Sequence, residues 1–271
     1  MGRLWRTVRM ALVPMLLTGL LVGVGEAARA EEDSYVALGD SYASGVGTRS
    51  YHERECYRSP LGYPALVGEE LGARLDLRAC SGARVADVLD SQLDGMGAAT
   101  DYVTVTVGGN DAGFAEVLTA CARPWPYTCA EEIAEARAVI TGALPAKLDM
   151  LYRAIAERAP QATVVAVGYP RLFNGQVCNL VAQITPEQQA ELNATADLLA
   201  QVIANRAAAH GFAFADPREA FNGHAVCDSD EWINGLSYPI LESYHPNQRG
   251  YALGYAPLVT ASLAAGVPGA S

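Results

Sequence analysis

Short apolar runs alternate with longer amphipathic stretches along most of this chain. Ser34–Leu38 (SYVAL), Leu75–Arg78 (LDLR), Tyr102–Val107 (YVTVTV), Thr163–Gly168 (TVVAVG) and Phe212–Ala215 (FAFA) predict strands, with the β-branched YVTVTV and TVVAVG the clearest and LDLR the weakest. Between them, Pro64–Leu71, Val85–Leu93, Glu131–Ala159 and Pro186–His210 have helical spacing; Thr185 caps the last, and Pro186 suits its first turn. Nearly all-apolar strands alternating with helices predict an α/β fold, a parallel sheet covered on both faces with right-handed crossovers. Ligands of such sheets bind outside the carboxyl ends of the strands. Gly39-Asp40-Ser41 follows the first strand, Ala79-Cys80-Ser81-Gly82-Ala83 the second and Gly108-Gly109-Asn110-Asp111 the third, so all three segments are expected on one edge.

The first thirty residues stand outside this pattern. Arg3, Arg6 and Arg9 precede the apolar run ALVPMLLTGLLVGVG, and Ala28-Arg29-Ala30 follows it, which reads as a secretory signal peptide cleaved after Ala30. A retained membrane anchor is the rival, but Met10–Gly25 is short against the ~20 residues of a span and leads into acidic EAARAEED rather than a positive stop. Residues 31–271 are then one secreted domain with one core, expected to be monomeric and to keep no stable membrane anchor. Losing four arginines and one glutamate with the leader takes the formal charge from −11 to −14. With Lys147 the one lysine and no basic run, nucleic acid is excluded as a partner, and anionic membranes are disfavoured.

All six cysteines, Cys56, Cys80, Cys121, Cys129, Cys178 and Cys227, lie in the exported part. An even count in an exported chain points to three disulfides, for which fifteen pairings exist. Pairing in sequence order is the simplest, since each bridge then closes a local loop; Cys121 to Cys129 would staple the Pro-rich ARPWPYT. No closely spaced Cys/His set suggests a metal.

The strand ends carry candidate chemistry. Gly39 permits a sharp turn that exposes the Ser41 hydroxyl. A serine becomes a nucleophile only when a base takes its proton and donors receive the oxyanion. The N–H groups of Ser41 and Gly82 and the side-chain amide of Asn110 can be those donors. Among four histidines, His52 lies in a polar loop, His210 closes a helix, and His224, beside Cys227, reads as a loop-packing residue. His245 differs: Pro246 keeps it out of helical geometry and suits the first turn of a following helix, which leaves the imidazole on a loop. Each signal alone also fits an ordinary turn or a satisfied histidine. Asp40 reads as a turn-stabilising acceptor and Asp111 as a support for the Asn110 loop.

In order, VALGDSYASG, CSGA, VGGND and SYHPNQRGY resemble the four blocks of the SGNH hydrolases, also called the GDSL esterases and lipases, with Ser41, Gly82, Asn110 and His245 at the positions that name the family. The resemblance spans Ser34 to Leu263 and implies a three-layer α/β/α sandwich around a five-stranded parallel sheet, the flavodoxin-like SGNH fold. The cysteines and FNGHAVCDSDEWINGL further resemble secreted actinobacterial lipases, implying bridges Cys56–Cys80, Cys121–Cys129 and Cys178–Cys227. Many members place Asp three residues before the histidine, where this chain has Glu242; other members use a main-chain carbonyl, here that of Ser243, and both remain open as partner of His245.

The expected reaction is two-step acyl transfer through a Ser41 acyl-enzyme, with His245 as base and then acid, without metal or organic cofactor. The substrate is a lipid or small acyl ester, with Tyr42, Tyr57, Trp125, Tyr127, Trp232 and Leu236 available to line an acyl groove. Rivals are a phospholipase, a carbohydrate deacetylase with a more polar groove, and a non-catalytic binding module; a phosphate binder lacks its Gly-rich cradle.

Overall fold

The computed structural model describes residues 1–2, 32–124, 126–179 and 181–266; the leader and Trp125 lie outside the described residues. Strand β1 (Ser34–Gly39) lies between β2 (Arg74–Leu77) and β3 (Tyr102–Thr106), and β4 (Thr163–Val167) then β5 (Ala213–Ala215) extend the sheet beyond β3. Every pairing is parallel. The helices are α1 (Ser41–Ser44), α2 (Tyr63–Leu71), α3 (Val85–Asp87), α4 (Phe114–Cys121), α5 (Ala130–Thr141), α6 (Leu144–Arg158), α7 (Pro186–Ala209) and α8 (Ala256–Ala265), with π-helical segments at Val88–Gln92 and Gly250–Tyr255.

Alternation along the strands makes three layers. Val36, Leu38, Val103 and Val105 join Leu144, Leu148 and Leu151 of α6 and Leu199 and Ile203 of α7 in one core. Tyr35 and Ala37 face the opposite way, into a second core with Tyr63 and Val67 of α2 and Val259 and Leu263 of α8. On this second face the threonines of YVTVTV partner buried tyrosines: Tyr35 Oη and Thr104 Oγ1 are 2.8 Å apart, as are Tyr63 Oη and Thr106 Oγ1. The hydroxyls are thereby satisfied where water cannot reach them.

All five predicted strands are present, with ends shifted by one residue at most. The long helix expected over Glu131–Ala159 is instead α5 and α6, broken at Gly142-Ala143. Pro145 is the cause: lacking an N–H, it is accommodated only in a first turn, so a new helix starts at Leu144. The stretch Val85–Leu93 tightens and loosens through α, π and 3-10 geometry rather than running as one helix. Pro246, expected in a first turn, lies before the helix. Asn247 caps the C-terminal helix, its Oδ1 accepting from the N–H groups of Arg249 at 2.9 Å and Gly250 at 3.0 Å, while Pro246 bridges to Ile233. Thr185 caps α7 as expected, and Gln188 completes the capping box.

The bridges are Cys56–Cys80, Cys121–Cys129 and Cys178–Cys227, and no described cysteine is free. Among the described residues no helix is long and apolar enough to cross a membrane.

Candidate active site

The strand order reverses between β1 and β3, and open parallel sheets bind ligands at the carboxyl end of such a switch. Gly39 and Thr106 are register partners at that end. Gly39 has φ 130°, and a Cβ there would collide with the Thr106 carbonyl, so only glycine lets β1 end this close to β3. Its own N–H and carbonyl are both taken by the buried Gln92 side chain, at 2.7 and 2.9 Å. Asp40 then caps α1, accepting the Tyr42 N–H at 3.0 Å, which is the turn-stabilising role expected of it. Ser41 begins the helix with its hydroxyl in the cleft.

Ser41 Oγ lies 2.8 Å from His245 Nε2, although 204 positions separate them. On the far side of the ring, His245 Nδ1 is 2.9 Å from the Ser243 carbonyl. A carbonyl oxygen can only accept, so Nδ1 carries the proton and Nε2 presents its lone pair to the serine hydroxyl. The Glu242 carboxylate is not at the imidazole: it is buried, and Oε1 accepts from Tyr51 Oη at 2.6 Å. Between the two open alternatives, the geometry puts the Ser243 carbonyl beside the ring.

The loop achieves this by a left-handed turn at Tyr244, φ 59°. The turn is held from three directions. Tyr42 Oη donates to the Tyr244 carbonyl at 2.7 Å, the Tyr244 N–H donates to Asn234 O at 2.8 Å, and the Asn234 N–H donates to His245 O at 2.9 Å. Gly47 packs against His245 and Pro246 so closely that a side chain there would strike the Pro246 carbonyl.

Gly82 and Asn110 line the same cleft. Asn110 Nδ2 spends one hydrogen on the Ala83 carbonyl, 3.0 Å away, which ties the second strand-end loop to the third and leaves its other hydrogen unused by that bond. The Asp111 side chain is fully buried and supports the loop as expected, accepting from the Val85 N–H at 2.9 Å and pairing with Lys147 at 2.7 Å. The Cys56–Cys80 bridge fixes the chain just before Ser81-Gly82.

Tyr169 is a site residue that the local sequence does not reveal. Its hydroxyl donates to Asp40 Oδ2 at 2.5 Å and accepts the Gly109 N–H at 3.2 Å, which joins the serine turn to the Asn110 loop. Burial raises the Asp40 carboxyl to about 7, against the opposing pull of the Tyr169 and Tyr42 donors. Burial acts on His245 in the opposite sense, lowering it to about 4, while the Ser243 carbonyl pulls the other way by holding the ring proton.

The cleft has a volume of about 530 Å³. Its walls beyond the serine are apolar: Phe114 and Leu118 from α4, then Leu172, Leu199, Leu236 and Leu241. Of the groove residues expected from sequence, Tyr42 and Leu236 line it. Tyr57 and Tyr127 do not, and Trp232 is stacked on His224 with ring centroids 3.7 Å apart, a packing role for both. His210 sits at the end of α7 against Asp149, remote from the cleft lining.

Residues 37–253 match the model of the GDSL-like Lipase/Acylhydrolase family. The chain belongs to that family. A lipase of Streptomyces rimosus is 44% identical over 257 residues, spanning 92% of this chain and 95% of that protein. Lipase 1 of Streptomyces coelicolor is 42% identical over 235 residues, 85% of this chain and 87% of its own. In structure, the extracellular lipase of Streptomyces rimosus aligns with a TM-score of 0.81 at 45% identity, and phospholipase A1 of Streptomyces albidoflavus with 0.80 at 40%; each alignment covers 85% of this chain and 99% of the other. This GDSL-family protein is a carboxylic ester hydrolase of the lipase/esterase kind.

Proposed function

We propose that this chain is a secreted lipase/esterase that works through a Ser41 acyl-enzyme, with residues 31–271 as its single catalytic domain. The contact that carries the reading is the 2.8 Å approach of Ser41 Oγ to an imidazole whose other nitrogen is held by a main-chain carbonyl. Nε2 takes the serine proton as Oγ attacks the ester carbonyl. The Ser41 and Gly82 N–H groups and Asn110 Nδ2, from residues that line the cleft, receive the oxyanion. The imidazolium then protonates the departing alcohol, and water attacks the acyl-enzyme by the same base, regenerating the serine. The Ser243 carbonyl fixes the ring's orientation and tautomer but contributes less charge stabilisation than a carboxylate.

An acyl group of a lipid suits the apolar walls of Phe114, Leu118, Leu172 and Leu199 better than an acetylated sugar does. A phospholipid ester is the second reading, favoured by the 40% identity to a Streptomyces phospholipase A1. Three disulfides, the leader pattern and the extracellular lipase relative support export, and the single compact unit that begins at Glu32 suits one domain. Fluorophosphonate labelling with mass mapping is the direct test. Label on Ser41, lost in Ser41→Ala together with turnover of a chain-length series of esters, is the expected result; label elsewhere overturns the assignment.

A further inference from the structure

The segment between Leu236 and His245 leaves the surface as a tight loop. Its neck is closed by Ser243, whose Oγ accepts the Ser237 N–H at 2.8 Å, and Glu242 beneath is anchored by Tyr51. The tip beyond this neck carries Tyr238, 92% exposed, Pro239, and Ile240, 69% exposed. Ile240 nevertheless lines the cleft that holds Ser41, so the apolar tip and the cleft are continuous. A second exposed apolar pair stands nearby: Val177 lines a hollow of about 330 Å³ together with Ala182, Leu236 and Ser237, and Val181 is the neighbour of Ala182. Val177 and Val181 are 49% and 79% exposed. The Cys178–Cys227 bridge pins that segment as the Ser237–Ser243 contact pins the other.

Charge marks the same region. Residues 172–186 and 232–241 contain no Asp, Glu, Lys or Arg, in a chain with 18% charged residues and formal charge −11. In the hollow between the two segments, Arg49 and Glu231 supply one charge of each sign. Scattered exposed apolar side chains need no explanation, but two anchored apolar segments without charge beside a substrate cleft are a surface that water solvates poorly. We propose that the Tyr238-Pro239-Ile240 tip and the Val177/Val181 segment dock the enzyme on the surface of an assembled lipid of no net charge. Their side chains enter the apolar layer, and the mouth of the cleft meets an acyl chain there. With no Lys or Arg in either segment, attraction to anionic lipid is not the driving force. The proposal rests on the reading of the Ser41 cleft as the active site.

The test separates docking from chemistry. Ser41→Ala protein is sedimented with phosphatidylcholine vesicles, alone and with Tyr238→Ser plus Val181→Ser; both substituted residues are exposed and neither lines the Ser41 cleft. Loss of two inserted side chains is expected to weaken partitioning on the order of tenfold or more. In the active background, the same double substitution should leave hydrolysis of a soluble short-chain nitrophenyl ester within about twofold while cutting hydrolysis of an emulsified long-chain glyceride on the order of tenfold. Equal partitioning of parent and variant, absence of partitioning by the parent, stronger partitioning to phosphatidylglycerol than to phosphatidylcholine, or equal losses on both substrates would each overturn the docking surface. Vesicle binding that depends on Tyr238 in a protein inert toward soluble esters would support docking and overturn the catalytic reading instead.

Discussion

The partner of His245 decides how the candidate active site responds to substitution and to pH. Glu242 faces Tyr51, not the imidazole, so Glu242→Gln should leave ester turnover within about tenfold of the parent, where loss of a side-chain carboxylate that held the ring would cost about 10⁴. Turnover measured at saturating ester distinguishes the two. With the ring lowered to about 4, Nε2 stays a free base well below the usual histidine range, so kcat/KM should hold as pH falls and drop only as it nears 4. An acid limb at the ordinary 6.5 would contradict the lowered value of the ring. That Ser41, Gly82, Asn110 and His245 meet in one cleft was legible because each stands next to a local signal, a strand end with glycine or a proline that bars helix. Tyr169 and Gln92 were not, since the groups they serve lie 129 and 53 positions away and nothing near either residue announces the contact. The choice between Glu242 and the Ser243 carbonyl was equally hidden: it turns on a left-handed backbone at Tyr244 that hydropathy patterns do not encode.

Strands buried on both faces are the easiest elements to read, as β1, β3 and β4 are; the partly buried edge strands β2 and β5 were found from weaker runs. Helix boundaries were harder. The run from Glu131 to Ala159 keeps its apolar spacing through Gly142 and Pro145, so periodicity alone merges two helices that backbone chemistry separates. Helix α4 was missed altogether: Phe114–Cys121 is short and follows directly on the Gly-Gly-Asn-Asp turn, yet it forms one wall of the cleft. Inside the sheet, the threonines of β3 are fixed by buried tyrosine hydroxyls. Thr104→Val removes the partner of Tyr35 while preserving shape, and chemical denaturation should show a loss of about 1–3 kcal/mol with turnover little changed. An unchanged midpoint would mean that the Tyr35 hydroxyl finds another acceptor.

Stability of the folded chain against pH contains two opposed contributions. Asp40, raised from 3.8 to about 7, favours the native state at acid pH: its contribution is full below about 3.8 and fades as pH rises through 7. His245, lowered from 6.5 to about 4, contributes fully above about 6.5 and fades as pH falls through 4. Over the shared window the slopes offset each other. Asp40→Asn removes one of them, so its Tm should climb more steeply than that of the parent between pH 4 and 6.5 in a thermal-shift series. Parallel curves would contradict the raised Asp40 value. Reduction tests the covalent frame: each bridge adds about 2–4 kcal/mol, and dithiothreitol should lower Tm by several degrees. The carbonyl beside His245 has a different kind of consequence. An orienting group supplied by the peptide unit has no codon of its own, so no substitution at position 243 deletes it outright, although the Ser243 hydroxyl also helps to hold the loop. The vulnerability passes to position 244, where a proline or a β-branched residue would turn the carbonyl away.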